Sequence, residues 1–141
     1  MKIVIEYGKG IVRMKVWTNG CFDILHRGHI ELFKYAKSIG DRLIVGVDTD
    51  EKVKLDKGSN RPINNIGDRV TMLESIRYID EVVWFDSTEG LRNLIKTIHP
   101  NIMVIGSDWK GKPVIGQEYT DKLVFFDRIG DYSTTNILKN I

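Results

Sequence analysis

Cysteine is nearly absent from this 141-residue chain. With Cys21 alone, an internal disulfide and a cysteine zinc cage are both excluded, and the composition suits a reducing compartment, so a cytoplasmic protein is expected. Charge of one sign is also lacking. The 21 Lys and Arg stand against 19 Asp and Glu, a net +2, so there is no global field of the kind that marks a nucleic-acid or membrane binder. No apolar run approaches the length of a membrane span, and residues 1–10 lack the basic-then-apolar order of a secretion signal. No G-x-G-x-x-G opens the first helix, which argues against a dinucleotide oxidoreductase, and repeats and low-complexity segments are missing. The length suits one domain with a core of its own.

The apolar residues that are present alternate between two patterns. Lys15-Val16-Trp17, Leu43–Val47, Glu81–Phe85, Ile102–Ile105 and Leu123–Phe126 are short apolar runs, as expected of parallel strands covered on both faces. Between them, Ile30, Phe33 and Ala36, then Ile66, Val70, Leu73 and Ile76, then Leu91, Leu94, Ile95 and Ile98 before Pro100, keep helical spacing. This alternation predicts an α/β fold, a right-handed Rossmann-like α/β/α sandwich with a mainly parallel sheet. Ile3–Ile5, Gly8-Lys9-Gly10 and Ile11-Val12 read as strand, turn and strand. We therefore expect residues 1–13 to form an N-terminal hairpin extension on a domain spanning 14–141, or else a plain cover for an edge or a partner subunit.

Thr18-Asn19-Gly20-Cys21-Phe22-Asp23-Ile24-Leu25-His26-Arg27-Gly28-His29 joins a strand end to a helix start. In an open parallel sheet ligands bind at strand carboxyl ends, and the helix beginning near Gly28 directs unpaired N–H groups to the same place, which suits a phosphate. His26 and His29 can donate to a phosphoryl group as charge develops on its oxygens. Gly28 and, on the opposite wall, Gly20 allow close approach of backbone and substrate. Farther on, Gly106 follows a strand end and lets a base or sugar lie against backbone, while Asp108 either accepts from hydroxyls or serves as a turn residue. Ser133 and Thr134 open a helix, as an anion site or as N-caps. Lys52, Lys54 and Lys57 lie in a segment with few apolar anchors, expected to be a mobile loop, where such charges form either a phosphate site or a solvated face.

The run from Thr18 to His29 resembles the signature of the HxGH nucleotidylyltransferases, in the cytidylyltransferase-like branch that holds glycerol-3-phosphate cytidylyltransferase and the heptose-1-phosphate adenylyltransferase domain. Ser133-Thr134-Thr135-Asn136-Ile137 resembles the family's S-T-T segment, and the likeness covers the chain from Met14 onward. The resemblance implies that His26, His29 and Lys57 are catalytic. It also implies a nucleotide site built from Thr18, Asn19, Gly20, Cys21, Phe22, Asp23, Gly28, Lys54, Arg61, Arg69, Gly106, Asp108, Arg128, Ser133, Thr134 and Thr135, with Thr18 and Asp23 shaping the first turn. Ile129-Gly130-Asp131-Tyr132 departs from the Glu-Gly that usually precedes the S-T-T, which leaves the base contacts there open.

The implied reaction is attack by an acceptor phosphate on the α-phosphorus of ATP or CTP, with pyrophosphate leaving and Mg²⁺ carried by the triphosphate rather than by protein ligands. A sugar phosphate of the heptose 1-phosphate type is the expected acceptor. Glycerol 3-phosphate is the alternative, because Ile76–Val82 and Asp108–Lys112 look more like that branch. A nucleotide-sensing module without turnover is the reading from a different class. Small-molecule partners, no nucleic acid, no membrane and a homodimer complete the expectation.

Overall fold

Five parallel strands form the central sheet in the order β5-β4-β3-β6-β7. In chain order these are β3 (Lys15–Gly20), β4 (Arg42–Asp48), β5 (Glu81–Phe85), β6 (Ile102–Gly106) and β7 (Lys122–Phe126). They are preceded by β1 (Ile5–Tyr7) and β2 (Gly10–Val12), which pair antiparallel as a sheet of their own. The helices are α1 (Arg27–Ser38), α2 (Asp50–Lys57), α3 (Ile66–Glu74), α4 (Thr88–Ile98) and α5 (Thr134–Lys139). This computed structural model describes residues 5–7 and 10–141, and the expected turn at Gly8-Lys9 and the strand start at Ile3-Val4 lie outside them.

The apolar strands bury both faces, which is why they read as runs rather than alternations. On one face Val16, Leu43, Val45, Val47 and Val104 pack with Phe33 and Ala36 of α1 and Leu73 of α3; on the other, Trp17, Ile44 and Met103 pack with Leu91 and Ile95 of α4. Full burial of one such side chain contributes roughly 1.5–3 kcal/mol. Trp17 fits because Gly46, its neighbour on β4, lacks a side chain: a Cβ there would come within 2.5 Å of the indole.

The Rossmann-like α/β expectation holds, with one structural difference. Of residues 52–60, expected as a mobile loop, 52–57 are helical, within α2. Asp50 and Glu51 occupy the first turn and Lys54 and Lys57 the last, complementing the helix dipole, while Lys52 and Asp56 pair at 2.6 Å across one turn. Only Val53 is buried, so no apolar stripe betrays the helix.

Candidate active site

The chain winds outward from β3 toward β4 and β5 on one side, and from β6 toward β7 on the other. At the carboxyl ends of β3 and β6 this reversal opens the crevice in which such sheets take ligands. Two adjoining cavities of about 500 and 450 Å³ fill it, sharing Leu32, Lys57, Gly106 and Asp108.

His26 is the extended N-cap residue of α1, and its main-chain N–H donates to Nδ1 of His29 at 3.2 Å. Nδ1 of His29 therefore carries no proton, and the neutral ring presents Nε2–H as its donor. Burial, then the adjacent His26 and Lys57, lowers the His29 pKa to about 4. Burial and then Arg128 also hold His26 below the usual imidazole value. The two rings stack 3.8 Å apart, and Nδ1 of His26 is buried without a partner among the described residues. Both rings and Gly28 line the first cavity. A Cβ on Gly28 would lie 2.9 Å from the His26 ring, so this glycine makes room for the imidazole itself.

Phe22 adopts a left-handed backbone at φ 50, a strain of roughly 1–3 kcal/mol for a bulky residue. Its buried ring meets Phe33 and His29 edge-on, with centroids at 5.2 and 5.4 Å, and lies 3.1 Å from where a Cβ of Gly20 would stand. Phe22 thus supports the histidine turn from behind and lines neither cavity. Asp23 is likewise buried, accepting from the N–H groups of Ile63 and Asn64 at 2.7 and 2.8 Å and from Nε of Arg61 at 3.2 Å. Burial pushes its carboxyl up, but these hydrogen bonds together outweigh it and hold Asp23 below the ordinary carboxylate value. Asp23 therefore fixes the 61–64 loop to the first turn, and Arg61, so placed, lines the first cavity.

Of the cations expected at a triphosphate, the structure separates the lysines. Lys57, at the end of α2, lines both cavities and makes no ion pair among the described residues. Lys54 is exposed and lines neither, because its position on α2 carries it to the outer face. Arg69 departs further from expectation. Only 1% exposed, it donates to the carbonyls of Cys21, Asp48 and Asn64 and pairs with Asp50 at 2.7 Å. Its guanidinium ties the ends of β3 and β4 to α2, and Arg69 lines neither cavity.

The other half of the cleft comes from the distant end of the chain. Gly106 closes β6, and the Asp108 carboxylate folds back to within 2.6 Å of where its Cβ would stand. Both line the two cavities, while Arg128, Ser133, Thr134 and Thr135 line the first. Ser133 accepts from the N–H of Asn136 at 3.0 Å as the N-cap of α5, and Thr134 donates to the carbonyl of Ile24 at 3.0 Å, closing α5 over the histidine turn. Thr18, Asn19, Gly20 and Cys21 line the second cavity. Burial pushes the Cys21 thiol up despite the opposing Lys57 and Arg69 cations, which makes it a packing residue.

Residues 17–139 match the cytidylyltransferase-like family model. The chain belongs to the cytidylyltransferase-like family. It is 49% identical over 126 residues to the bifunctional protein HldE of Campylobacter fetus subsp. fetus, an alignment covering 89% of this chain and 27% of that protein. With HldE of Campylobacter concisus it shares 44% identity over 140 residues, 99% of this chain and 29% of the relative. The chain thus spans little more than a quarter of the length of these relatives. A lipopolysaccharide core biosynthesis protein from Thermoplasma volcanium superposes with a TM-score of 0.67 at 25% identity, covering 86% of this chain and all of that one.

Within this family's fold, the residues missed by pattern reading are three apolar or aromatic side chains of the first cavity and one acid of the second. Phe126, Ile129 and Tyr132 form an apolar wall to the first cavity, with the Tyr132 ring 6.2 Å from that of His26. Tyr132 belongs to the segment that departs from the usual Glu-Gly, so this departure stands directly beside a histidine. Asp48, at the end of β4, lines the second cavity and carried no motif to announce it.

Proposed function

We propose that this chain transfers a nucleoside monophosphate from ATP or CTP to a phosphorylated sugar of the heptose 1-phosphate type. The observation that carries the reading is His29: neutral, fixed in the Nε2–H tautomer, and placed in one cleft with His26, Lys57, Arg61 and Arg128. An oxygen of the acceptor phosphate attacks the α-phosphorus, the bond to the bridging oxygen breaks, and pyrophosphate carries away the charge. The acceptor is already an anion, so the protein positions the reactants and stabilises charge rather than activating a nucleophile. Lys57, Arg61 and Arg128 suit the triphosphate, and its Mg²⁺ would enter on the nucleotide.

A matrix of the four nucleoside triphosphates against heptose 1-phosphate, glycerol 3-phosphate and related phosphates, read by pyrophosphate release, tests this. Heptose 1-phosphate should be preferred; nucleotide binding without release for every acceptor would instead indicate a sensor. His26→Ala and His29→Ala should each lower turnover by roughly 10²–10³-fold with a smaller change in nucleotide affinity. We also infer a cytoplasmic twofold homodimer in which residues 1–13 form a unit apart from the 14–141 domain. The self-contained β1–β2 sheet supports this, because a strand pair offers edges to a symmetry mate. Light scattering on the whole chain and on one lacking residues 1–13 checks both statements.

A further inference from the structure

The second cavity has a wall that the nucleotide chemistry leaves unused. Asp48 lines it half-buried, and no donor among the described residues hydrogen-bonds its carboxylate; Arg69 takes only its main-chain carbonyl, at 2.7 Å. Burial pushes this carboxyl above its ordinary value, with Lys52 pulling it down and Asp56 reinforcing the rise. An acid partly stripped of water without gaining protein donors is suited to accept from a ligand's hydroxyls.

The neighbouring groups restrict what that ligand can be. Asn19 Oδ1 accepts from the buried Trp17 indole N–H at 2.8 Å, so its amide nitrogen is the group left to donate. Lys52 is already neutralised by Asp56 at 2.6 Å and lies 5.9 Å over the Phe85 ring, so it offers little to an anion. Trp109, 45% exposed, supplies an apolar plate. Away from the shared wall of Lys57 and Asp108, the cavity therefore presents an unpaired acid, a neutral donor, a closed ion pair and an aromatic face. That combination suits the C–H and O–H groups of a neutral polyol and repels a second anion.

We infer that the second cavity holds the acceptor with its single phosphate at Lys57 and its hydroxylated body against Asp48, so that Asp48 is the residue selecting monophosphorylated polyhydroxy acceptors over those bearing a second anionic group. The inference rests on the nucleotidyl-transfer reading and names the acceptor class within it.

Initial rates of pyrophosphate release test it, with the intact chain, saturating Mg–nucleotide, heptose 1-phosphate, and an analogue carrying a second phosphate at the far end of the sugar. Asp48→Asn should raise the KM for the monophosphate about ten-fold or more, leave the nucleotide KM within about two-fold, and narrow the preference against the bisphosphate by about ten-fold. Asn19→Asp keeps an acceptor for the Trp17 N–H while adding a second acid, and should widen that preference. Unchanged acceptor KM and preference in these variants, or equal use of both acceptors by the wild type, would overturn the role of Asp48. Failure of the wild type to release pyrophosphate with any phosphorylated acceptor would overturn the transfer reading itself, and this inference with it.

Discussion

The main-chain N–H of His26 bonds Nδ1 of His29, so the first peptide of α1 selects the tautomer of the second imidazole. One short turn thus supplies both a helix cap and a donor of defined orientation. At neutral pH the ring is uncharged, and its Nε2–H can donate to phosphoryl oxygens as charge develops on them.

The same burial has a titration signature. The His29 value of about 4 lies below the ordinary 6.5, so on acidification the unfolded chain takes up its proton first. Stability from this group is complete above about 6.5 and lost as the pH falls toward 4. Carbon-13 NMR of labelled histidines should show His29 titrating near 4 in the free protein. An inflection at or above the ordinary imidazole value would contradict the assignment.

Lys57 and Lys54 share a helix but not an environment. Lys57→Ala should weaken nucleotide binding by about ten-fold or more, as for a lost charge-assisted hydrogen bond, while Lys54→Ala should change it by less than about two-fold. Calorimetric titration compares them directly. Because residues 50–57 are helical, the amides of residues 53–58 should already be protected from exchange without nucleotide, and any ligand-induced slowing should concentrate at residues 59 and 60.

Asp23→Ala leaves two main-chain donors and one guanidinium nitrogen without their shared acceptor, and should destabilise the fold by roughly 3 kcal/mol. Since the folded carboxyl titrates below its ordinary 3.8, its contribution is present above that value and disappears as the pH falls through the lower, folded one. Urea unfolding at a series of acidic pH values should therefore show the wild type losing this increment and the variant showing none to lose.

Gly46→Ala tests the packing of Trp17. The added Cβ would meet the indole at 2.5 Å, so overpacking should cost roughly 1–3 kcal/mol in thermal or urea unfolding. An unchanged stability would mean that Trp17 can shift without loss.

Much of this molecule is legible in short stretches of chain. Apolar runs place β4 through β7, the 3.6-residue spacing places α1, α3 and α4, and the segment from Thr18 to His29 joins strand end, glycine, imidazole and helix start, all local features that would suit a phosphate. α2 escaped because Val53 alone anchors it and its stabilising charges look the same as those of a solvated loop.

Two matters belonged to tertiary structure alone. The placement of β6 beside β3 brings Gly106 and Asp108 to the cavity walls shared with the histidine turn, and strand order depends on which faces pack rather than on the pattern within any strand. The state of each charge was equally non-local. Lys57, Lys54, Arg69 and Asp48 are all charged residues near a candidate site in sequence, yet one faces the cleft, one faces outward, one is buried in hydrogen bonds and one is left without a donor. Sequence determines that a side chain can ionise. Which partners and how much water it retains are decided by elements folded against it from elsewhere in the chain.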